Sequence, residues 1–329
     1  MDIETRGMQT IAARRWRPQL RPALTAALFV LFLLVPLYAQ QTGSDYALIF
    51  VGRVLVFALA AVGLNLALGY GGMVSFGHAM YIGIGAYCVA ILSHYGIASG
   101  PLHLVAVVVV TALVAPLVGL IALRTRDIAF IMITLALAQM FYFLALGLKQ
   151  YGGDEGLPVN FVSAFGPLTG NRTALYLSIV ATLGFALLAM RRIIDSRFGL
   201  VLRAASADER RVRAVGMNPL GYRLAAYVLS AELCAVAGYF LANLTTFASP
   251  AYMAWTASGE LIIMVLLGGV GTLVGPVVGA AAFLLMEEWF KSLTEHWMVV
   301  MGPVIVAIVL FLRNGLWGML VDGGRKGAS

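Results

Sequence analysis

From Arg191 to Arg223 the chain reads RRIIDSRFGLVLRAASADERRVRAVGMNPLGYR, and this is the only long hydrophilic stretch in its body. It contains eight arginines, whereas the sequence on either side consists of apolar runs, most of them long enough to cross a membrane. A basic segment between such runs is typical of a loop on the cytoplasmic face of a membrane protein. The stretch therefore predicts a membrane protein with one large internal loop.

This loop contains the signals for a short helix. Ser206 and Glu209 have the spacing of a capping box, in which the serine hydroxyl caps the first turn and the glutamate reaches back to the cap. We expect the helix to end at Gly216, because glycine tolerates the left-handed conformation, and Asn218-Pro219 to prevent its continuation. A short capped helix of this kind is suited to docking a cytoplasmic protein.

The composition excludes an ordinary soluble protein. Of 329 residues, 61% are hydrophobic and 11% are charged, and the mean hydropathy is +0.92, whereas about 25% of residues in soluble domains are charged. The net charge of +7 does not indicate nucleic-acid binding, because the arginines cluster in loops beside apolar runs. Cys88 and Cys234 lie within apolar runs, so we interpret them as packing residues rather than a disulfide.

The apolar runs predict an all-α polytopic membrane protein with nine or ten transmembrane helices. The ten runs are Ala23–Ala39, Tyr46–Leu68, Met73–Ser93, Leu102–Leu123, Ile128–Gly147, Thr173–Met190, Tyr222–Leu244, Gly259–Leu267, Thr272–Phe290 and Trp297–Leu312. The run Gly259–Leu267 is too short to cross alone, so it is either tilted into its neighbours or half of a broken helix. Cleavage of a signal peptide near Tyr38–Gln40 would leave nine spans, but the long basic leader favours an uncleaved anchor.

The distribution of basic residues predicts which segments are cytoplasmic. Of the 22 Lys and Arg residues, 18 lie in four segments, residues 1–22, 124–126, 191–223 and 313–329. By the positive-inside rule, these segments and both termini are cytoplasmic. The predicted organisation is a cytoplasmic N-terminus, a transmembrane domain and a cytoplasmic tail, over residues 1–22, 23–313 and 314–329.

Two similar glycine-rich breaks interrupt the apolar runs, at Leu68–Gly72 and Leu267–Gly271. They are too short to define an internal repeat. From the second break onward, Gly271, Gly275 and Gly279 recur every four residues. This spacing predicts a helix face without side chains that packs closely against a neighbouring helix.

No nucleotide-binding loop can be built from this chain. Its three lysines, Lys149, Lys291 and Lys326, do not follow glycine, so GxxxxGK[ST] is absent. The sequence also contains no GxSxG, no HExxH and no Cys/His cluster with metal-ligand spacing, so we predict no catalytic residue, metal or cofactor in it. ATP, if it drives this protein, must be bound by another subunit.

Several polar residues fall within the apolar runs, where such groups tend to face a cavity or a pathway. We expect a translocation path to be lined by Asn65, Ser75, His78, Gln139 and Glu232. For Asn65 and Gln139, hydrogen bonding between neighbouring helices is the favoured alternative. A single carboxylate, Glu232, does not make a proton relay, which argues against an ion-coupled carrier.

The stretch Gly63–His78, GLNLALGYGGMVSFGH, followed by GIGAY at Gly83–Tyr87, resembles the signature of LivM-type permeases. These are membrane subunits of ABC importers for branched-chain amino acids. Further blocks that resemble the family are Gly152–Leu157, Met264–Ala280 and Val309–Gly318. The resemblance covers roughly residues 46 to 320, and it departs from the family at Leu312–Asn314, where the last block normally carries proline.

The resemblance implies the architecture of an ABC-importer permease that works by alternating access. Its partners would be a homologous second permease, two cytoplasmic ATP-binding subunits and a periplasmic substrate-binding protein, all at the bacterial inner membrane and its lipid. Importers for urea, short amides or aromatic acids share the same blocks and remain alternatives. A different class, a self-sufficient secondary carrier or channel, would need no ATPase.

The 191–223 loop would then dock an ATP-binding subunit through a coupling helix. It resembles the family pattern Arg203-Ala-x(4)-Glu209-x(6)-Gly216-x-Asn218, whereas of the Glu-Ala-Ala-x-x-x-Gly of other importers it keeps only the glycine. The candidate docking residues are Arg203, Ser206, Glu209, Arg210, Val212, Val215 and Gly216. Val212 and Val215, three residues apart, are expected to share one helix face and to make apolar docking contacts.

Overall fold

The computed structural model describes residues 20–42, 45–163, 172–311 and 315–322. Most of the predicted N-terminal segment, the family departure at Leu312–Asn314 and the end of the predicted tail lie outside the described residues. The helices are α1 (Leu20–Thr42), α2 (Asp45–Asn65), α3 (His78–His94), α4 (Gly100–Ala122), α5 (Asp127–Gly147), α6 (Arg172–Asp195), α7 (Arg197–Ala207), α8 (Glu209–Ala214), α9 (Pro219–Thr245), α10 (Trp255–Gly268), α11 (Gly275–Leu293), α12 (Trp297–Phe311) and α13 (Gly315–Asp322). Two short strands that are far apart in the chain, β1 (Leu157–Pro158) and β2 (Phe247–Ala248), pair in antiparallel register.

The helices confirm the all-α membrane fold, since each of the ten predicted apolar runs coincides with a helix over most of its length. Five helical segments are long and apolar enough to cross a membrane by length and composition, namely Asp45–Tyr70, Gly100–Ala122, Asp127–Gly147, Arg172–Asp195 and Pro219–Thr245. Shorter apolar helices cover Leu24–Leu37, His78–His94, Trp255–Gly268 and Trp297–Ile308. The loop from 191 to 223 contains two short helices, α7 and α8, and the start of α9.

Helix α9 lies at the centre of the bundle and packs against α2, α3 and α4. Small residues allow these backbones to approach one another. The Ser230 hydroxyl on α9 donates to the Gly63 carbonyl on α2 at 2.7 Å. At the crossing with α3, a Cβ on Gly238 would lie 1.9 Å from the Ile82 carbonyl oxygen, so only glycine fits there.

The chain leaves helical conformation between α2 and α3, although the sequence predicts a continuous apolar run from Met73. A π-helical turn over Leu66–Tyr70 ends α2, and residues 73–77 approach α3 without regular structure. Side-chain hydroxyls take the place of the missing helix bonds, since the Phe76 amide donates to Thr134 Oγ1 at 3.2 Å and the Ala79 amide to Ser258 Oγ at 3.1 Å. Helix α3 is therefore the second half of a broken helix, and its break is held by α5 and α10.

Helix α10 resolves the reading of the short run Gly259–Leu267. Its 14 residues span about 21 Å at 1.5 Å per residue, less than the roughly 30 Å of a bilayer core. A short 3-10 turn at Pro250–Met253 precedes it, and it packs along α11. It is thus half of a broken helix rather than a complete crossing.

The predicted stripe of three glycines on one helix is only partly correct. Gly275 and Gly279 lie on α11 and face α10, where a Cβ on Gly279 would lie 1.9 Å from the Met264 carbonyl oxygen. Gly271 precedes the helix and has a φ of +70°. A left-handed residue cannot continue a right-handed helix, so Gly271 belongs to the turn between α10 and α11.

Two of the ion pairs mark the opposite ends of the bundle. At one end Arg172 pairs with Asp45 at 2.6 Å, and the paired strands β1 and β2 lie at the same end. At the other end Arg126, between α4 and α5, pairs with Glu209 of the loop. The 124–126 and 191–223 segments, both predicted to be cytoplasmic, are therefore in contact, as a common side requires.

Candidate functional site

The capping box predicted at Ser206 and Glu209 is wrong. Helix α7 continues through Ser206, whose hydroxyl donates to the Arg203 carbonyl at 2.9 Å. The N-cap of α8 is Asp208, with extended backbone, and its Oδ1 accepts from the amides of Arg210 at 2.9 Å and Arg211 at 3.4 Å. The break comes two residues later than predicted because Asp208, rather than Ser206, adopts the extended conformation that an N-cap needs.

The Asp208 cap of α8 can be tested by substitution. Hydrogen bonds from the Arg210 and Arg211 amides hold the pKa of the Asp208 carboxyl below its ordinary value, so the charged cap persists as the pH falls and is lost only below the ordinary range of an aspartate. We expect Asp208→Ala to fray α8 at a cost of about 1 kcal/mol, with Ser206→Ala close to wild type, in measurements of hydrogen-exchange protection at the α8 amides. Equal losses in the two variants would contradict the assignment of the cap.

Glu209 connects α8 to the membrane helices. Its side chain is only 13% exposed and forms ion pairs with Arg126, with Arg223 at the start of α9, and with Arg213 at 3.5 Å. One carboxylate thus serves three guanidinium groups, an arrangement that charge-assisted hydrogen bonds favour. Glu209 therefore links α8 to the start of α5 and to α9. The capping-box pattern concealed this role, because it drew attention only to the backbone near Ser206.

Val212 and Val215 do not form a shared docking face. Val212 is 5% exposed and packs against Val201, Ala205 and Tyr222 within the loop. Val215 is 73% exposed, which leaves it as the apolar candidate for docking. The reason is that α8 has only six residues and ends at Ala214, so Val215 lies beyond the helix as its C-cap, whereas Val212 lies within it and faces α7.

Of the remaining loop candidates, Gly216 and Arg203 stabilise the structure of the loop, and Arg210 lies on its surface. Gly216 has a φ of +80°, which confirms that it ends the short helix. The Arg203 guanidinium donates to the carbonyls of Gly199 and Ile194 at 3.2 and 3.1 Å, so it joins α7 to the end of α6. Arg210 is exposed. Arg210 and Val215 are thus the candidates that lie on the exposed surface of the loop without a partner among the described residues that holds them to another helix.

A buried polar group lies where the broken helix α3 meets α9. The His78 ring packs edge-on against the rings of Tyr227 and Tyr81, with centroid distances of 5.1 and 6.0 Å. The Tyr81 hydroxyl donates to the Tyr227 hydroxyl at 3.3 Å, and Ser75 Oγ accepts from the Gly77 amide at 3.2 Å. Both His78 nitrogens are buried and have no hydrogen-bond partner among the described residues. Ser75 and His78 therefore belong to one site, to which the sequence had not assigned the two tyrosines.

Asn65 joins the two glycine-rich breaks. Its Nδ2 donates to the Thr272 carbonyl at 2.8 Å, and its Oδ1 accepts from the Gly271 amide at 3.0 Å. A Cβ on Gly69 would lie 2.6 Å from the Gly271 nitrogen, so the two breaks are packed backbone to backbone. The structure therefore favours the interpretation of Asn65 as a link between helices, because its side-chain amide holds the turn between α10 and α11.

Gln139 and Glu232 form no hydrogen bond to the His78 site among the described residues, but Glu232 lies close enough to Tyr81 to interact with it electrostatically. Gln139 is half-buried on α5, and Glu232 is half-buried on α9. Glu232 Oε2 is buried without a hydrogen-bond partner in the part of the chain that the structure describes. Whether Gln139 and Glu232 share a path with His78 stays a prediction.

The chain matches a model of a known protein family and several named proteins. A family model described as "Branched-chain amino acid transport system / permease component" matches residues 46–309. The chain is 25% identical to the high-affinity branched-chain amino acid transport system permease protein LivM of Escherichia coli K12, over 92% of this chain and 77% of that protein. It is also 25% identical to LivH of the same strain, over 88% of this chain and 96% of LivH, and to BraD of Pseudomonas aeruginosa, over 85% and 96%. No solved structure matches the chain.

Proposed function

Because the chain belongs to the family of permease components of branched-chain amino acid transport systems, we propose that it is a permease subunit of an ATP-driven importer that carries branched-chain amino acids across a membrane. The family match carries this proposal, because it runs from α2 into α12 and includes both breaks and the loop with α7 and α8. The relatives named above carry the same transport activity in their names.

ATP-binding subunits are proposed to dock on the exposed face of the loop. The chain has no phosphate-binding lysine of its own, so the energy must enter through another protein. Arg210 and Val215 offer a cation and an apolar side chain on the surface. The Glu209 ion pairs would then pass the movement of α8 to α5 and α9.

A second, homologous permease is the proposed partner in the membrane. The chain is as similar to LivH as to LivM, two permeases named for one kind of transport system in one strain. Helices α4 and α5 are apolar along their length but mostly unburied within this chain, so a partner permease or lipid must cover them. A periplasmic binding protein and cytoplasmic termini complete the proposal, supported by the positive-inside distribution.

The site around His78 is proposed as part of the translocation path. Irregular backbone at membrane depth is tolerated where it is buried in protein or lines a cavity, and residues 73–77 are irregular. The break places the N-terminus of α3 and the unpaired His78 ring side by side. Such half-helix ends are the groups that membrane transporters use to contact polar parts of a substrate.

Uptake in cells that lack the gene tests the proposal. Labelled leucine uptake should fall and return on complementation, whereas urea and benzoate uptake should not change. Loss of urea or benzoate uptake instead would move the chain to another substrate within the family. Ion-driven uptake by the purified chain alone in vesicles, without an ATPase, would identify a secondary carrier and contradict the proposal.

A further inference from the structure

A cleft of about 750 Å³ lies at the end of α6 that leads into the loop. Its lining combines the apolar side chains of Phe185 and Leu188 with the charged side chains of Arg191, Arg192 and Asp195. The step from apolar to basic side chains falls between residues 190 and 191. The cleft therefore straddles the level at which a membrane changes from hydrocarbon to headgroups.

The charged end of this cleft is cationic. Arg191 and Asp195 form an ion pair at 3.9 Å, and their side chains are 72% and 70% exposed. An exposed pair of this length contributes little binding energy, so it leaves the guanidinium groups accessible. Two arginines face one aspartate, and the excess charge is positive. An anion is the complementary ligand.

The other end of the cleft is apolar and lies deeper. Phe185 and Leu188 are 73% and 66% exposed, and with Arg192 they follow the three- and four-residue spacing of one helix face. Phe185 is six residues from Arg191, about 9 Å along the helix axis. An occupant that touches both ends must therefore be apolar at membrane depth and anionic at the interface.

We propose that this cleft binds an anionic phospholipid, with its phosphate at Arg191 and Arg192 and an acyl chain along Leu188 and Phe185. A soluble ATP-binding subunit does not reach Phe185 at that depth. Residues 1–19 of the chain do not suit the cleft either, because they carry four arginines against one aspartate and one glutamate. The proposal requires only that the chain lies in a membrane, so it stands apart from the identity of the transported substrate.

The test uses the full-length protein reconstituted into vesicles of phosphatidylglycerol and phosphatidylcholine in equal amounts. After gentle extraction, native mass spectrometry counts the lipids that remain bound. The wild type should retain phosphatidylglycerol in preference, and each of Arg191→Gln and Arg192→Gln should lower that preference about fivefold, as each basic residue near anionic lipid contributes. Arg172→Gln, an exposed arginine at the opposite end of the same helix, should leave it unchanged.

Two results would overturn the proposal. One is a wild-type protein without preference for phosphatidylglycerol, or an equal preference in the Arg191→Gln/Arg192→Gln variant. The other is efficient photo-crosslinking from position 188 to a second permease in the assembled transporter, which would make the cleft a protein interface. Leucine uptake by these variants is a separate readout, so failure of the lipid site would leave the transport function unaffected.

Discussion

Gly238→Ala is expected to destabilise the membrane bundle strongly. The new Cβ would lie 1.9 Å from the Ile82 carbonyl oxygen, and the reverse contact is as close, since a Cβ on Gly85 would lie 2.0 Å from the Ala235 carbonyl oxygen. These neighbours are backbone atoms in helices, so no side chain can turn aside, and α3 and α9 would have to separate. Overpacking of a core costs about 1–3 kcal/mol or more. We expect the thermal unfolding temperature to fall by about 5 °C or more relative to the wild type.

Gly221→Ala is the matched control on the same helix. A Cβ at Gly221 would meet nothing within 4 Å, and alanine favours a helix by about 1 kcal/mol over glycine. The thermal unfolding temperature of this variant should therefore equal or exceed that of the wild type. A Gly238→Ala protein as stable as Gly221→Ala would contradict the close crossing of α3 and α9.

Glu209→Arg is expected to abolish transport while the protein still folds. The substitution would place a fourth positive charge among Arg126, Arg213 and Arg223, and these would lose their common anion. Removing one partner of a buried ion pair costs about 3–5 kcal/mol, and less is expected here because Arg126 and Arg213 are more than half exposed. We expect uptake to fall at least about tenfold, with the membrane helices intact, because the cluster lies at one end of the bundle.

The controls for Glu209 separate charge from folding. Glu209→Gln keeps hydrogen-bond acceptance and should show a smaller loss of uptake. Asp45→Asn removes the exposed ion pair with Arg172 at the other end, where both side chains are more than 60% exposed, and it should transport normally. Normal uptake by Glu209→Arg would show that α8 does not transmit movement to the membrane helices.

Most of the helices could be predicted because their signal is local. A long apolar run at 1.5 Å per residue has few structural options in a membrane, so the ten runs and their order were correct. Helix ends were predicted less well. At Ser206 and Asp208 the same kind of side chain appears twice in three residues, and only the backbone conformation decides which residue caps the helix. The break at residues 73–77 was missed because its hydroxyl partners, Thr134 and Ser258, are far away in sequence.

The candidate site was predicted as a list of residues rather than as an arrangement. Polar residues at membrane depth are visible in any apolar run, so His78 and Glu232 could be selected. Whether such a residue is engaged or free depends on what faces it. Asn65 proved to hold a turn, and Val212 proved to be buried, because of contacts that no spacing in the chain encodes.

The sequence by itself determined a polytopic helical membrane protein with one basic loop, no phosphate-binding loop and the signature of an importer permease. Only the tertiary structure decided which faces meet, such as Asn65 with Gly271 across 206 residues and Glu209 with Arg126 across 83. The physical reason lies in the solvent. Lipid is as apolar as a protein interior, so hydrophobicity marks a span without marking its buried face. That choice depends on close backbone contacts at glycines and on a few polar groups that must find partners.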